Sequence, residues 1–252
     1  MSKLSLNSKL YIAAVSAIGA GVLVNGLLHW RSASAGAFLV LLLITLSVSR
    51  MRVKLPGMNG VMSVNLPFLL ISAARLGTGE ALLIAALAGL VQSLPRGGKR
   101  VTAVQVVFNS ATIVNAVAAT ACVFRVFSHN GIILPLSMAA AGAAFFIVNT
   151  VPVALVLWLA DAQAPFKTWR AMATLSGPFY VLSAGVAAIV CPARHLVFWG
   201  LGLGLIPLMY SIYISYRTYF AVQPTADSSA FQAPASAALL NDSRFASSAS
   251  VH

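Results

Sequence analysis

The side chains of this sequence that are suited to binding a ligand are four amides and one carboxylate inside or beside long apolar runs. They are Asn65, Glu80, Gln105, Asn109 and Asn149. A polar group in such a run needs a partner from another helix or a water-filled cavity, because lipid offers no hydrogen bonds. The sequence therefore predicts either hydrogen bonds between helices or a ligand cavity lined by the amides, with Glu80 at its outer mouth.

The amides also have informative neighbours in the chain. Gln105, Asn109 and Thr112 recur at spacings i, i+4 and i+7, which places them on one face of a helix. Asn65 and Asn149 each lie two or three residues before a proline, where an amide is able to complete the hydrogen bonding that the proline removes. Helix packing and kink repair are thus the structural alternative to a ligand cavity.

Glu80 has structural interpretations of its own. At the first turn of a predicted helix its carboxylate meets the positive end of the helix dipole. Arg75 precedes it by five residues and is a candidate partner in an ion pair. These interactions with the helix dipole and with Arg75 are the structural alternative to a part in ligand binding.

The sequence lacks the spacings that carry known catalytic or metal chemistry. It contains no GxxxxGK[ST], no HExxH and no CxxC motif. Its 4 acidic residues, of which two fall in the C-terminal tail, are too few for paired acid–base catalysis or a divalent metal site. We expect no enzymatic activity, no metal and no cofactor. Cys122 and Cys191 both fall near the predicted outer side, where a disulfide is chemically feasible, and two unpaired thiols are the interpretation that we favour.

Composition places most of the chain in lipid. Of its 252 residues, 60% are hydrophobic and only 8% are charged, whereas a soluble domain has roughly a quarter charged residues. The net charge of +12 comes from basic residues that lie singly or in small groups between apolar runs. This is loop charge rather than a phosphate-binding patch, so we expect a lipid bilayer as partner and no nucleic acid.

Eight apolar runs predict an all-α, polytopic transmembrane bundle of about eight helices within residues 1–221. The third and fourth runs are short for a span of about 20 residues, so they either cross fully or form a re-entrant hairpin. The chain from residue 222 to 252 is rich in Ala, Ser and Pro and predicts a disordered cytoplasmic tail. The runs are residues 10–28, 34–49, 61–74, 81–94, 103–124, 132–159, 171–190 and 196–216.

The basic residues predict how the bundle is oriented. Twelve of the 16 Lys and Arg residues fall in segments that are cytoplasmic if both termini are inside, and each outer loop holds one. This is the bias of the positive-inside rule, so we predict an N-in, C-in topology. Two basic turns dominate the inner side: Arg50, Arg52 and Lys54 in the first, and Arg96, Lys99 and Arg100 in the second.

Several short motifs resemble the multi-helix membrane region found in front of bacterial HD-GYP, and sometimes GGDEF, signalling domains. They are Leu55-Pro-Gly, Leu76-Gly-Thr-Gly-Glu-Ala81, Val107-Phe-Asn109, Val148-Asn-Thr150 and Ser215-Tyr-Arg-Thr-Tyr219. The resemblance covers roughly residues 10–220 and implies a sensory or ligand-binding membrane module. In such proteins a cytoplasmic domain that makes or degrades cyclic di-GMP follows, whereas here the Ala/Ser tail stands in its place, so the resemblance transfers no catalytic residue.

Three functions fit these observations. The leading hypothesis is a sensor-type module in the bacterial inner (cytoplasmic) membrane that acts through a separate cytoplasmic signalling protein. The alternative is a small-solute transport or substrate-capture subunit, since the compact bundle also resembles the substrate-binding subunits of energy-coupling-factor transporters. The third is a purely structural membrane protein. The sequence does not specify the ligand or the oligomeric state.

Overall fold

A computed structural model describes residues 5–30, 32, 34–54, 61–94, 102–161, 164–192 and 195–222. The described residues form eight α-helices, which confirms the predicted all-helical bundle and its helix count. The second basic turn (Arg96, Lys99, Arg100) and the predicted tail beyond residue 222 lie outside them. The helices are α1 (Leu6–Leu28), α2 (Ala35–Ser49), α3 (Leu66–Arg75), α4 (Thr78–Ser93), α5 (Ala103–His129), α6 (Leu134–Asp161), α7 (Pro165–Val190) and α8 (His195–Val222).

Helix length separates spanning helices from shorter ones. Within the described residues α1, α5, α6 and α7 are long and apolar enough to cross a membrane. The 10 residues of α3 are about 15 Å long, which is half the hydrocarbon thickness of about 30 Å. By length, α3 therefore does not traverse the bilayer on its own. The N-in, C-in orientation stays a prediction of the charge pattern.

The short helices α3 and α4 lie at the centre of the bundle. Eight consecutive residues of α3, from Leu66 to Ala73, are buried, and so is most of the N-terminal half of α4. Helix α5 packs against α4, α6 and α1, and α3 packs against α7. The polar connector between α3 and α4 is consequently enclosed by protein at its Glu80 end.

Glycines allow α1 and α4 to approach their neighbours closely. A Cβ on Gly19 of α1 would lie 2.7 Å from the Cβ of Ala111 on α5, and a Cβ on Gly89 of α4 would lie 2.7 Å from the Cα of Ser110. A Cβ on Gly79 would collide with the carbonyl group of Gly26. Backbone-to-backbone packing of this kind is the usual way in which helices associate in lipid.

The first basic turn contains a short β-hairpin that the sequence did not predict. Strand β1 (Arg52–Lys54) pairs antiparallel with β2 (Val61–Ser63), with Val53 opposite Met62. Arg50 caps the C-terminal end of α2 just before it. Strand β1 contacts α8, so the hairpin joins the α2 end of the bundle to its last helix.

Candidate functional site

Glu80 is fully buried and its carboxylate holds three segments together. The hydroxyl of Ser32 donates a 2.6 Å hydrogen bond to Oε1, and the backbone N–H of Gly77 donates a 3.0 Å bond to Oε2. Glu80 lies in the first turn of α4, as the sequence predicted, and its carboxylate caps the N-terminus of this helix and also fixes the segment between α1 and α2. Hydrogen bonds to a carboxylate are stronger than those between neutral groups.

Arg75 ends α3 and has a different contact. Its guanidinium Nη1 donates a 2.6 Å hydrogen bond to the carbonyl oxygen of Cys191, directly after α7. This bond ties the end of α3 to the end of α7. The contacts described for Arg75 and Glu80 are with these other groups, and the Arg75–Glu80 ion pair stays a prediction.

Two of the predicted amides form the same contact at two different turns. Asn65 Nδ2 donates a 2.8 Å hydrogen bond to Ser49 Oγ, and Asn109 Nδ2 donates a 2.8 Å bond to Ser93 Oγ. Each serine hydroxyl in turn donates to the carbonyl of the residue four positions earlier. We call these two Asn–Ser pairs the turn clamps, since each joins the helices on either side of a basic turn.

The other two amides also have protein partners. Asn149 Nδ2 donates a 3.0 Å hydrogen bond to the hydroxyl of Tyr180, linking α6 to α7. Gln105 lies exposed in the first turn of α5, where its Oε1 accepts from the N–H of Thr102. The amide contact of Asn149 is therefore with the neighbouring helix and not with the α6 backbone near its proline.

A cavity lies elsewhere, at the end of the bundle where α1 and α5 end and α4 begins. Its volume is about 290 Å³, close to the lower limit of about 300 Å³ for small-molecule sites. We call it the α1–α4–α5 pocket. Its lining residues are Val22, Asn25, Gly26, Thr78, Leu82, Ala118, Ala121, Cys122, Arg125 and Val126.

The predicted site residues do not line this pocket. Asn65, Glu80, Gln105, Asn109 and Asn149 are all absent from its walls, so their part in ligand binding stays a prediction. Sequence reasoning missed the pocket because its polar residues stand near helix ends, where a solvated interfacial role is the simpler interpretation. The available signal was Arg125, the one Lys or Arg residue of α5, placed in the last turns of that helix.

The pocket has a distinct electrostatic character. Among the described residues that line it, Arg125 is the charged one and none carries a carboxylate. Asn25 and Thr78 add an amide and a hydroxyl, and the other walls are mainly aliphatic. Among the described residues no group of three His, Cys, Asp or Glu side chains is placed to hold a metal ion. The arrangement is suited to a small ligand that is anionic at one end and apolar at the other.

Comparison with protein families gives a match over most of the chain. The model of a family of membrane-associated sensory domains, MASE9, matches residues 30–221. The matched range begins after α1 and extends through α2 to α8, so α1 with its wall of the pocket lies outside it. No curated protein and no solved structure matches the chain.

Proposed function

This chain belongs to the MASE9 family of membrane-associated sensory domains, and from that premise we propose that it is a membrane sensor module without catalytic activity of its own. In this proposal it binds a small ligand, resides in the bacterial cytoplasmic membrane and changes the output of a separate cytoplasmic protein. The observation that carries the proposal is the family match, which includes seven of the eight helices.

In this proposal one end of the bundle binds the ligand and the opposite end contacts the partner protein. The α1–α4–α5 pocket lies at the end that the charge pattern places outside, where ligand binding would change the packing of α4 against α5. The opposite ends of these two helices are joined by the Asn109–Ser93 turn clamp. A shift of α4 against α5 would therefore strain a hydrogen bond near the predicted cytoplasmic face.

The first basic turn extends this path to the last helix. The Asn65–Ser49 turn clamp joins α2 to α3, and strand β1 between these helices contacts α8. Helix α8 continues to Val222 at the predicted cytoplasmic side. We propose that the partner protein contacts α8 and the basic hairpin beside it, and that it responds when their position changes.

Site-directed photo-cross-linking in native membranes tests this proposal. A photoreactive amino acid at exposed Thr218, near the end of α8, is expected to capture a signalling protein with an HD-GYP, GGDEF or kinase domain. The matched control places the same probe at exposed Ile133, which lies at the other end of the bundle and is expected to capture no such protein. The captured protein is then assayed with and without Asn109→Leu in the sensor.

Each competing function predicts a different result. Capture of an ATPase with its membrane coupling subunit, together with loss of solute uptake in the variant, would overturn the sensor proposal in favour of transport. Loss of stability in Asn109→Leu with unchanged partner output and unchanged uptake would leave only a structural role. Changed partner output at normal abundance is the result that the sensor proposal requires.

A further inference from the structure

The described walls of the α1–α4–α5 pocket combine the cation of Arg125 with apolar side chains. Arg125 is an exposed residue of the pocket wall and lies four residues before the end of α5. The carboxylate of Glu80, although close in sequence to Thr78, accepts hydrogen bonds from Ser32 and Gly77 and does not line the pocket. The part of the pocket wall that the structure describes therefore holds no negative charge to offset that of Arg125.

The remaining lining residues define the rest of the ligand. Asn25 and Thr78 provide hydrogen-bond donors, while Val22, Leu82 and Ala118 provide an apolar surface between the helices. Val126 is 52% exposed, so the apolar wall continues onto the outer surface of α5. A flexible alkyl chain is able to lie along this surface from the pocket toward the bilayer.

We propose that the α1–α4–α5 pocket binds an amphiphile with an anionic head, a carboxylate or a phosphate, attached to an acyl chain. Resting on the sensor function proposed above, this assigns the ligand class: the head pairs with Arg125, whose planar guanidinium suits both anions. The acyl chain lies against the aliphatic wall. The two natural sources of such a head are a free fatty acid and an anionic phospholipid of the surrounding membrane.

The native thiol of Cys122 in the pocket wall provides the assay. The protein in dodecyl maltoside, a detergent without charge or phosphate, is treated with N-ethylmaleimide and the modification rate of Cys122 is measured. Separate samples contain dodecanoate, dodecanol, dodecyltrimethylammonium or phosphatidylglycerol. Dodecanol and the ammonium compound match the chain of dodecanoate but not its charge.

Three variants make the test specific. Arg125→Gln removes the cation, Arg125→Lys keeps the charge without the planar guanidinium, and Ala118→Leu fills the pocket without altering any charge. Ile133→Cys in a Cys122→Ser background measures the general effect of micelle charge on thiol reactivity at an exposed position. A melting temperature for each variant establishes that it is folded.

The expected result is saturable protection of Cys122 by the anionic amphiphiles alone. At about ten times the apparent Kd the modification rate falls about tenfold, since only the unoccupied fraction reacts. Protection is lost in Arg125→Gln and Ala118→Leu, and Ile133→Cys is unaffected. Protection by dodecanoate identifies a free fatty acid as a sufficient ligand, whereas protection by phosphatidylglycerol alone identifies a membrane lipid.

The contrary results are equally defined. Equal protection by dodecanol or dodecyltrimethylammonium, protection that persists in Arg125→Gln, or no protection by any anion would overturn the ligand assignment. None of these results affects the outcome of the separate experiment in which a photoreactive amino acid at position 218 captures a signalling protein. Failure of the ligand class and failure of the sensor function are therefore distinguishable.

Discussion

The amide of Asn109 donates a 2.8 Å hydrogen bond to the hydroxyl of Ser93, which lies 16 residues earlier in the chain. Asn65 and Ser49 have the same separation of 16 residues and the same donor–acceptor distance. In both pairs the serine ends one helix and the asparagine lies at or near the start of the next. Two predicted cytoplasmic turns are thus closed by the same contact.

Replacement of Asn109 by leucine should lower the free energy of unfolding by on the order of 1 kcal/mol, because Ser93 loses its partner across the α4–α5 turn. The measurement is reversible unfolding in mixed micelles of dodecyl maltoside and sodium dodecyl sulfate. In a Ser93→Ala background the same replacement should cost less, with a coupling free energy of about 0.6 kcal/mol. Strictly additive effects of the two substitutions would show that the clamp has no energetic role.

Replacement of Glu80 by alanine should destabilise the bundle more than loss of either clamp. Its buried carboxylate accepts hydrogen bonds from Ser32 and Gly77, and a hydrogen bond to a carboxylate contributes about 1.5–3 kcal/mol. The measurement is again unfolding in mixed micelles. Glu80→Gln retains an acceptor oxygen and should recover part of the loss.

Double-mutant cycles test whether Ser32 or Arg75 interacts more strongly with Glu80. The Ser32–Glu80 cycle should give a larger coupling free energy than the Arg75–Glu80 cycle, because Arg75 Nη1 is directed at the carbonyl oxygen of Cys191. A larger coupling to Arg75 would instead support the ion pair that the sequence predicts. In both cycles the read-out is the unfolding free energy of each single and double variant.

Two glycines of α1 should respond oppositely to alanine. Gly19→Ala places a Cβ 2.7 Å from the Cβ of Ala111 and should cost about 1–3 kcal/mol by overpacking. Gly21→Ala is the matched control, since nothing lies within 4 Å of its added Cβ. Helix propensity should make that variant neutral or more stable by up to about 1 kcal/mol. Equal melting temperatures for the two variants would contradict the close α1–α5 contact.

The two cysteines should differ in reactivity. Cys122 is exposed, whereas burial raises the pKa of the Cys191 thiol to about 12, an effect that nearby Arg75 partly offsets. N-ethylmaleimide at neutral pH should therefore modify Cys122 and spare Cys191, because the thiolate is the reactive form. Mass spectrometry of the digested protein measures both sites.

The raised pKa of Cys191 also predicts a pH dependence of stability. Above the ordinary pKa of 9.0 the unfolded chain releases the thiol proton while the folded protein retains it, so stability should fall as pH rises toward about 12. The measurement compares melting temperatures of the protein and of Cys191→Ala between pH 9 and pH 11. The decline attributable to this group should be absent in the variant.

Much of the fold was accessible from apolar runs. The eight helices and the short third and fourth pair were predicted because a run of apolar residues is a local property of the sequence. The hydrogen bonds of Asn109 and Asn149 to neighbouring helices were predicted as one of two alternatives, because a buried amide requires a partner. The β-hairpin was not predicted, because the charged residues Arg52 and Lys54 are equally compatible with an irregular turn.

The pocket was not predicted because it depends on which helices meet. Its walls combine Gly26 of α1, Leu82 of α4 and Ala118 of α5, and no periodicity within one helix specifies the other two. The glycine contacts that bring α1 against α4 and α5 are visible in the sequence only as small residues. Their partners become known from the three-dimensional arrangement.

The hydroxyl of Ser8, at the start of α1, donates a 2.8 Å hydrogen bond to the carbonyl oxygen of Leu159 near the end of α6, 151 residues later. At a synthesis rate of about 5–20 residues per second, Leu159 is added to the chain about 8–30 seconds after Ser8. During that interval α5 is synthesised, before α6, and the surface around Ala111 that packs against Gly19 of α1 becomes available. Biogenesis in the membrane should therefore proceed through a state in which α1 is already packed on α5 but still unsecured at its N-terminal end.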